Sequence, residues 1–141
     1  MASPALGAMT LFLHQDGRVL DARSSAVVDR GEAPKHVADL VATCVAAVDG
    51  PSARALWAIA SDSLANRVLW AGGVEADAAA LAADERFPRP RFVEVAGQRA
   101  VRRASCCLVY ESPGQQKCVS CPRQQPDDRL RRLRAAFGHG T

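Results

Sequence analysis

The sequence predicts an α+β fold in one domain. A helical core packs on a small antiparallel sheet, and a cysteine-rich loop follows near the C-terminus. Three observations carry this reading. Apolar residues recur at the 3.6-residue helical period through residues 35–49. Strand-like runs broken by tight-turn residues occur at 9–20 and 91–110. Four of the five cysteines then fall within residues 106–121. The 141 residues are 48% hydrophobic and 23% charged. That is enough to bury an ordinary core.

Residues 9–20, MTLFLHQDGRVL, place apolar runs on both sides of Asp16-Gly17, a strong hairpin signal. In residues 35–49, Val37, Leu40, Val41, Cys44, Val45 and Val48 fall on one helical face. Pro34 suits the first turn and Gly50 the end. Cys44 sits within that stripe and is expected to be a small buried apolar residue. A second helix over 52–70 is apolar on more than one face, which predicts the central, most buried helix. Gly72-Gly73 ends it. Residues 74–85 form a third, alanine-rich helix with high propensity and little to bury. Pro88 and Pro90 close it. Residues 91–95, a turn at 96–98 and residues 99–110 read as extended chain that ends at Cys106-Cys107. Residues 111–125 are a loop, and Pro126-Asp127-Asp128 starts a last helix over 127–137.

Charge is divided along the chain. Residues 1–85 hold 6 Lys/Arg against 11 Asp/Glu, and residues 86–141 hold 12 against 4. The cysteines therefore lie in the basic half. A basic surface there suits solvation, an acidic partner or an anionic centre. It does not suit nucleic acid, because Tyr110 is the sole aromatic residue between 93 and 136. No apolar run approaches the roughly 20 residues of a spanning helix, so membrane insertion is not expected. The first residues carry no base ahead of their short apolar part and do not predict a signal peptide. A cytoplasmic protein with reduced thiols is expected. His14, His36 and His139 have no partner at metal-ligand spacing. No phosphate loop, nucleophile elbow or carboxylate pair points to hydrolysis.

The chemistry lies in RASCCLVYESPGQQKCVSCP, residues 103–122. Cys118-Val-Ser-Cys121 brings two sulfurs to one metal, and Pro122 stiffens the exit. A redox dithiol of this spacing opens a helix, whereas the residues that follow here stay irregular until 127. Cys106-Cys107 is more discriminating. Adjacent side chains on extended backbone point to opposite faces and do not readily chelate one tetrahedral ion. Two iron atoms offer each thiolate a target. Geometry ranks an iron–sulfur cluster first, zinc second and a disulfide third.

These residues resemble a family. The pattern C-C-x10-C-x2-C is similar to the C-terminal signature of FhuF-type ferric siderophore reductases. It is carried here by Arg103, Ser105, Cys106, Cys107, Leu108, Tyr110, Pro113, Gly114, Cys118, Cys121 and Pro122. Upstream, Trp57 in RALWAIASDSLA matches a helix of that family, while Ile59 stands where an Asn is usual. The resemblance implies one FhuF-like domain over 1–141 that lacks the usual N-terminal half, with its cluster segment at 103–123. It implies a [2Fe-2S] cluster on Cys106, Cys107, Cys118 and Cys121, with no catalytic residue beyond those ligands. It also implies an oxidoreductase of iron homeostasis that takes electrons from a flavoprotein or ferredoxin and reduces a ferric siderophore. A homodimer would replace the missing half. The alternatives are a ferredoxin-like electron carrier and a zinc-braced binding module.

Four thiolates around an oxidised [2Fe-2S] centre leave a net charge of −2, and one added electron makes it −3. Arg102, Arg103, Lys117 and Arg123 are expected to favour the reduced form. Ser105 and Ser120 are candidate donors to sulfur, and Tyr110 is expected in the core.

Overall fold

The computed structural model describes residues 3–4, 9–13, 15, 19–24, 27–29 and 31–138. The chain runs through β1 (Ser3–Pro4), β2 (Met9–Leu13), β3 (Val19–Ser24), β4 (Val27–Val28), α1 (Ala33–Ala46), α2 (Ala53–Trp70) and α3 (Glu75–Leu81). It continues through β5 (Phe92–Val95), β6 (Gln98–Val101) and α4 (Pro126–Gly138). This is the expected α+β class. Among the described residues, however, the strands form three separate two-stranded antiparallel sheets, β1 with β4, β2 with β3, and β5 with β6, and the N-terminal hairpin and residues 91–110 do not share one sheet. Thr10 pairs with Arg23 as the hairpin reading requires, while Asp16-Gly17 lies outside the described residues.

α2 is the central helix. Ser52 caps it by accepting the Ala55 N–H at 3.3 Å. It buries Trp57, Ala58, Ser61, Asp62 and Ala65, the most of any helix. Its far end turns outward, where Trp70 is 74% exposed under the Arg67 guanidinium. At Gly73 a Cβ would stand 2.7 Å from Val68 Cγ1, so the close return of the chain requires glycine.

Two apolar clusters flank α2. On one side Ala38 of α1, Trp57, Ala82 and Phe87 gather. The Trp57 and Phe87 rings meet edge to face at 4.8 Å and 85°. On the other side Ala65, Ala78 of α3 and Val101 of β6 gather, with Phe92 against them. Small residues at these contacts let the helices approach closely. Asp77 Oδ2 accepts the Val74 N–H at 2.9 Å and starts α3. That helix stops at Leu81, four residues short of the sequence-based expectation. Beyond it Asp84 accepts both the backbone N–H and the Nε of Arg86 and turns the chain.

Cys44 departs from expectation. It is exposed. The buried contact of α1 is made by Ala38, with Val37, Val41, Ala42 and Val45 against the cluster. The stripe is thus rotated, and Cys44 lies on its open margin. Among the described residues no helix is long and apolar enough to cross a membrane.

Candidate metal centre

The β5–β6 hairpin delivers the chain to the site. Its two-residue turn holds Ala96 at φ 51° and Gly97 at φ 75°, the twist that a tight hairpin requires. Phe92 pairs with Val101. The Arg102 N–H then donates to Arg91 O at 2.8 Å and closes the ladder.

Regular strand ends there, so Cys106-Cys107 lies in a loop and not in the expected strand over 99–110. A side chain of α2 takes over the backbone. Asp62 is 2% exposed. Its Oδ2 accepts the N–H of Ala104 at 2.9 Å and of Ser105 at 3.4 Å. The same oxygen stands 3.9 Å from Arg103 Nε in a largely buried ion pair. Burial raises the Asp62 carboxyl pKa, and the two amides and Arg103 partly offset it.

The two adjacent cysteines occupy different environments in this loop. Leu108 adopts left-handed backbone at φ 58°, followed by a single 3₁₀ turn over Val109–Glu111. Cys106 turns inward, and its Sγ lies 3.5 Å from Cys121 Sγ. Cys107 is exposed, and its thiol is lowered in pKa first by the Val109 N–H and then by the Arg103 guanidinium.

Cys118 and Cys121 are joined by a turn in which the Cys121 N–H donates to Cys118 O at 3.0 Å. Gln124 Nε2 donates to Cys118 O at 2.8 Å and Val119 O at 3.1 Å. From α4, Arg132 reaches Gln124 Oε1 at 2.7 Å and Lys117 O at 3.0 Å. The last helix thereby holds the motif in place. Cys121 is 1% exposed. Burial raises its thiol pKa, and neighbouring Cys106 adds to the effect.

Arg103 lies against another of the sulfurs. Its Nη1 donates to Cys118 Sγ at 3.3 Å, and its charge also acts on the Cys107 thiol. Burial opposes its charge, but the Cys118 and Cys107 thiols prevail and leave its pKa raised. The remaining cations play different parts. Lys117 lies over the Tyr110 ring at 5.2 Å and donates to Arg123 O. Arg123 donates to the Tyr110 hydroxyl at 3.1 Å and pairs with Glu111 at 3.7 Å. Tyr110 is thus a half-buried anchor for cations, not a core residue. Arg102 is exposed. The backbone of Ser105, rather than its hydroxyl, is what holds it to Asp62.

The donor set fits a binuclear cluster. All four thiols are free, and two of them stand 3.5 Å apart. Tetrahedral coordination with metal–sulfur bonds of about 2.3 Å separates two thiolates by roughly 3.8 Å. A third, Cys118, lies against the Arg103 guanidinium. Among the described residues no three metal-binding side chains gather on a single point. Four thiolates are the ligand count of a [2Fe-2S] centre.

Sequence reasoning found the four cysteines and missed Asp62, Gln124 and Arg132. The signal for Asp62 was available, as a carboxylate on the helix already identified as most buried. Comparison with known families matches residues 103–123 to the FhuF 2Fe-2S C-terminal domain. No curated protein and no solved structure matches the chain. The segment that bears the four thiols is therefore similar to the FhuF 2Fe-2S C-terminal domain, and the cofactor that this match indicates is a [2Fe-2S] cluster.

Proposed function

We propose that this chain reduces ferric siderophores by one electron, releasing Fe(II), with Cys106, Cys107, Cys118 and Cys121 as the cluster ligands. The observation that carries the reading is the asymmetry of the site. Cys121 is buried, whereas Cys107 and Cys118 are exposed beside Arg103. When bound, the cluster supplies a one-electron store that needs no proton transfer. The chain's own residues set where that electron leaves. The exposed thiolates give a short path to solvent, and Arg103, Lys117 and Arg123 surround it with positive charge that attracts an anionic ferric chelate. A cavity of about 880 Å³ reaches Val119 and Ser120, between Cys118 and Cys121. That volume suits a small chelate. Hydroxamate and catecholate oxygens are hard donors that hold Fe(III) far more tightly than Fe(II), so the added electron frees the metal with the chelator intact.

A second reading is an electron carrier serving another protein, favoured by exposed Arg102 and Arg123 near the thiols. The donor in either case is a flavoprotein or ferredoxin. Both readings place the protein in the cytoplasm, where its free thiols stay reduced. Anaerobic stopped-flow mixing of reduced protein with a ferric hydroxamate, with a colorimetric Fe(II) trap, separates them. Reoxidation with stoichiometric Fe(II) supports the reductase. Slow reaction with free chelates and fast exchange with a redox protein supports the carrier.

A further inference from the structure

We propose that Asp62 is a positioning residue for the cluster, holding Arg103 against Cys118 so that its charge raises the reduction potential. The inference rests on the cluster and not on the identity of the electron acceptor.

Three contacts carry it. Asp62 is a buried carboxylate on the central helix, 42 residues before the loop it holds. Its Oδ2 accepts the amides of Ala104 and Ser105, the two residues between Arg103 and Cys106. It also faces Arg103 Nε, the edge of the guanidinium away from the Nη1 that reaches Cys118 Sγ. A flexible arginine is thereby fixed at both ends, by a carboxylate behind and by sulfur in front. Burying a carboxylate is unfavourable unless it is paired and hydrogen-bonded. Here the hydrogen bonds that Asp62 accepts come from the loop that enters the cluster.

The two charges have opposite effects on an electron. Arg103 touches sulfur and stabilises the more negative reduced state directly, through charge and hydrogen bonds. Asp62 lies behind it, one guanidinium farther from the thiols. As a plain through-space charge, its loss raises the potential. As a positioning residue, its loss releases Arg103 and lowers the potential. The sign of the shift therefore distinguishes the two roles.

The experiment is a potentiometric titration followed by EPR on the intact, cluster-loaded protein, with iron and sulfide assayed on each sample. Wild type is compared with Asp62→Asn, Arg103→Gln and the double variant. Asn is close in shape and keeps a carbonyl for the Ala104 N–H. The expected result is a downward shift in Arg103→Gln, a smaller downward shift in Asp62→Asn, and no further fall when Asp62→Asn is added to Arg103→Gln. An upward shift from Asp62→Asn in both backgrounds overturns the proposal, as does an equal downward shift in both. If Asp62→Asn does not retain iron, Asp62→Glu is read in its place. It keeps the charge and displaces the carboxylate by one methylene. A lowered potential supports the proposal and an unchanged one overturns it. If Arg103→Gln does not retain iron, Arg103→Lys enters the cycle with the same readings. Lysine keeps the charge but lacks the fork that faces Asp62 and Cys118 together.

Discussion

Cys106 Sγ lies 3.5 Å from Cys121 Sγ, although 15 residues separate them in the chain. The sulfurs that meet are thus neither the adjacent pair nor the two of the C-x-x-C turn. Cys106 is carried in by the loop that Asp62 holds, and Cys121 by the loop that Arg132 and Gln124 hold. The site joins the central helix to the last one. Replacing any one of the four cysteines with Ala is expected to reduce iron and sulfide well below about two of each per chain, the content of an intact binuclear cluster. Cys44→Ala, on the exposed margin of α1, is expected to leave both unchanged. Metal and sulfide assays with the visible spectrum check this. Full iron content in Cys121→Ala would remove Cys121 from the ligand set.

The backbone between the sulfur-bearing residues carries strain. Leu108, half-buried, has φ 58°, where a side chain with a Cβ costs roughly 1–2 kcal/mol. That turn is what separates Cys107 from the 3₁₀ segment behind it. Leu108→Gly relieves the strain and loses some packing and chain rigidity, so its stability is expected within about 1 kcal/mol of wild type. Leu108→Val adds a β-branch in the same conformation and is expected to cost about 2 kcal/mol. Urea unfolding of the loaded proteins measures both. Equal stability of the Val and Gly variants would contradict the left-handed assignment.

The helical core depends on Trp57 and Phe87, which meet edge to face. Both are more than nine-tenths buried. Phe87→Ala opens a cavity beside the indole and is expected to cost about 3–4 kcal/mol. Phe87→Leu refills most of the space and is expected to cost about half as much. In a domain whose whole stability is about 5–15 kcal/mol, the alanine variant should show a large fall in the urea midpoint. A fall no greater than that of Phe87→Leu would show that the site collapses onto Trp57.

Much of this arrangement was legible in the sequence because it is local. The helical periods around Val37 and Leu56, the glycines at 72 and 73 and the cysteine spacing depend on near neighbours in the chain. What was not legible depends on contacts across it. Residues 99–110 read as extended because Val101 and Val109 are strand formers, yet Asp62 draws the backbone at Ala104 and Ser105 off the ladder. Tyr110 reads as core by its ring, yet Lys117 and Arg123 bind its face and hydroxyl near the surface. Cys44 fits the apolar period, but the close approach at Ala38 rotates α1 away from it. In each case contacts outside the local pattern outweigh local preference.

A contact between near neighbours in the chain sets an acid limit. Arg86 lies over the Trp57 ring at 4.8 Å and donates to both oxygens of Asp84 at 2.7 Å. Those hydrogen bonds, with the Arg86 backbone N–H, lower the Asp84 pKa to about 2. An unfolded aspartate titrates near 3.9. The folded state thus binds the Asp84 proton more weakly than the unfolded state. The pair's contribution is complete above about pH 4 and is lost as pH falls through the folded value. Asp84→Asn removes this contribution at every pH. The unfolding midpoints of wild type and Asp84→Asn are expected to differ by a constant amount from pH 7 down to about 4, with wild type the more stable. They are then expected to converge toward pH 2, and Trp57 fluorescence is a local reporter because Arg86 rests on its ring. A gap that stays constant through pH 2 would mean that Asp84 stabilises the turn without its charge.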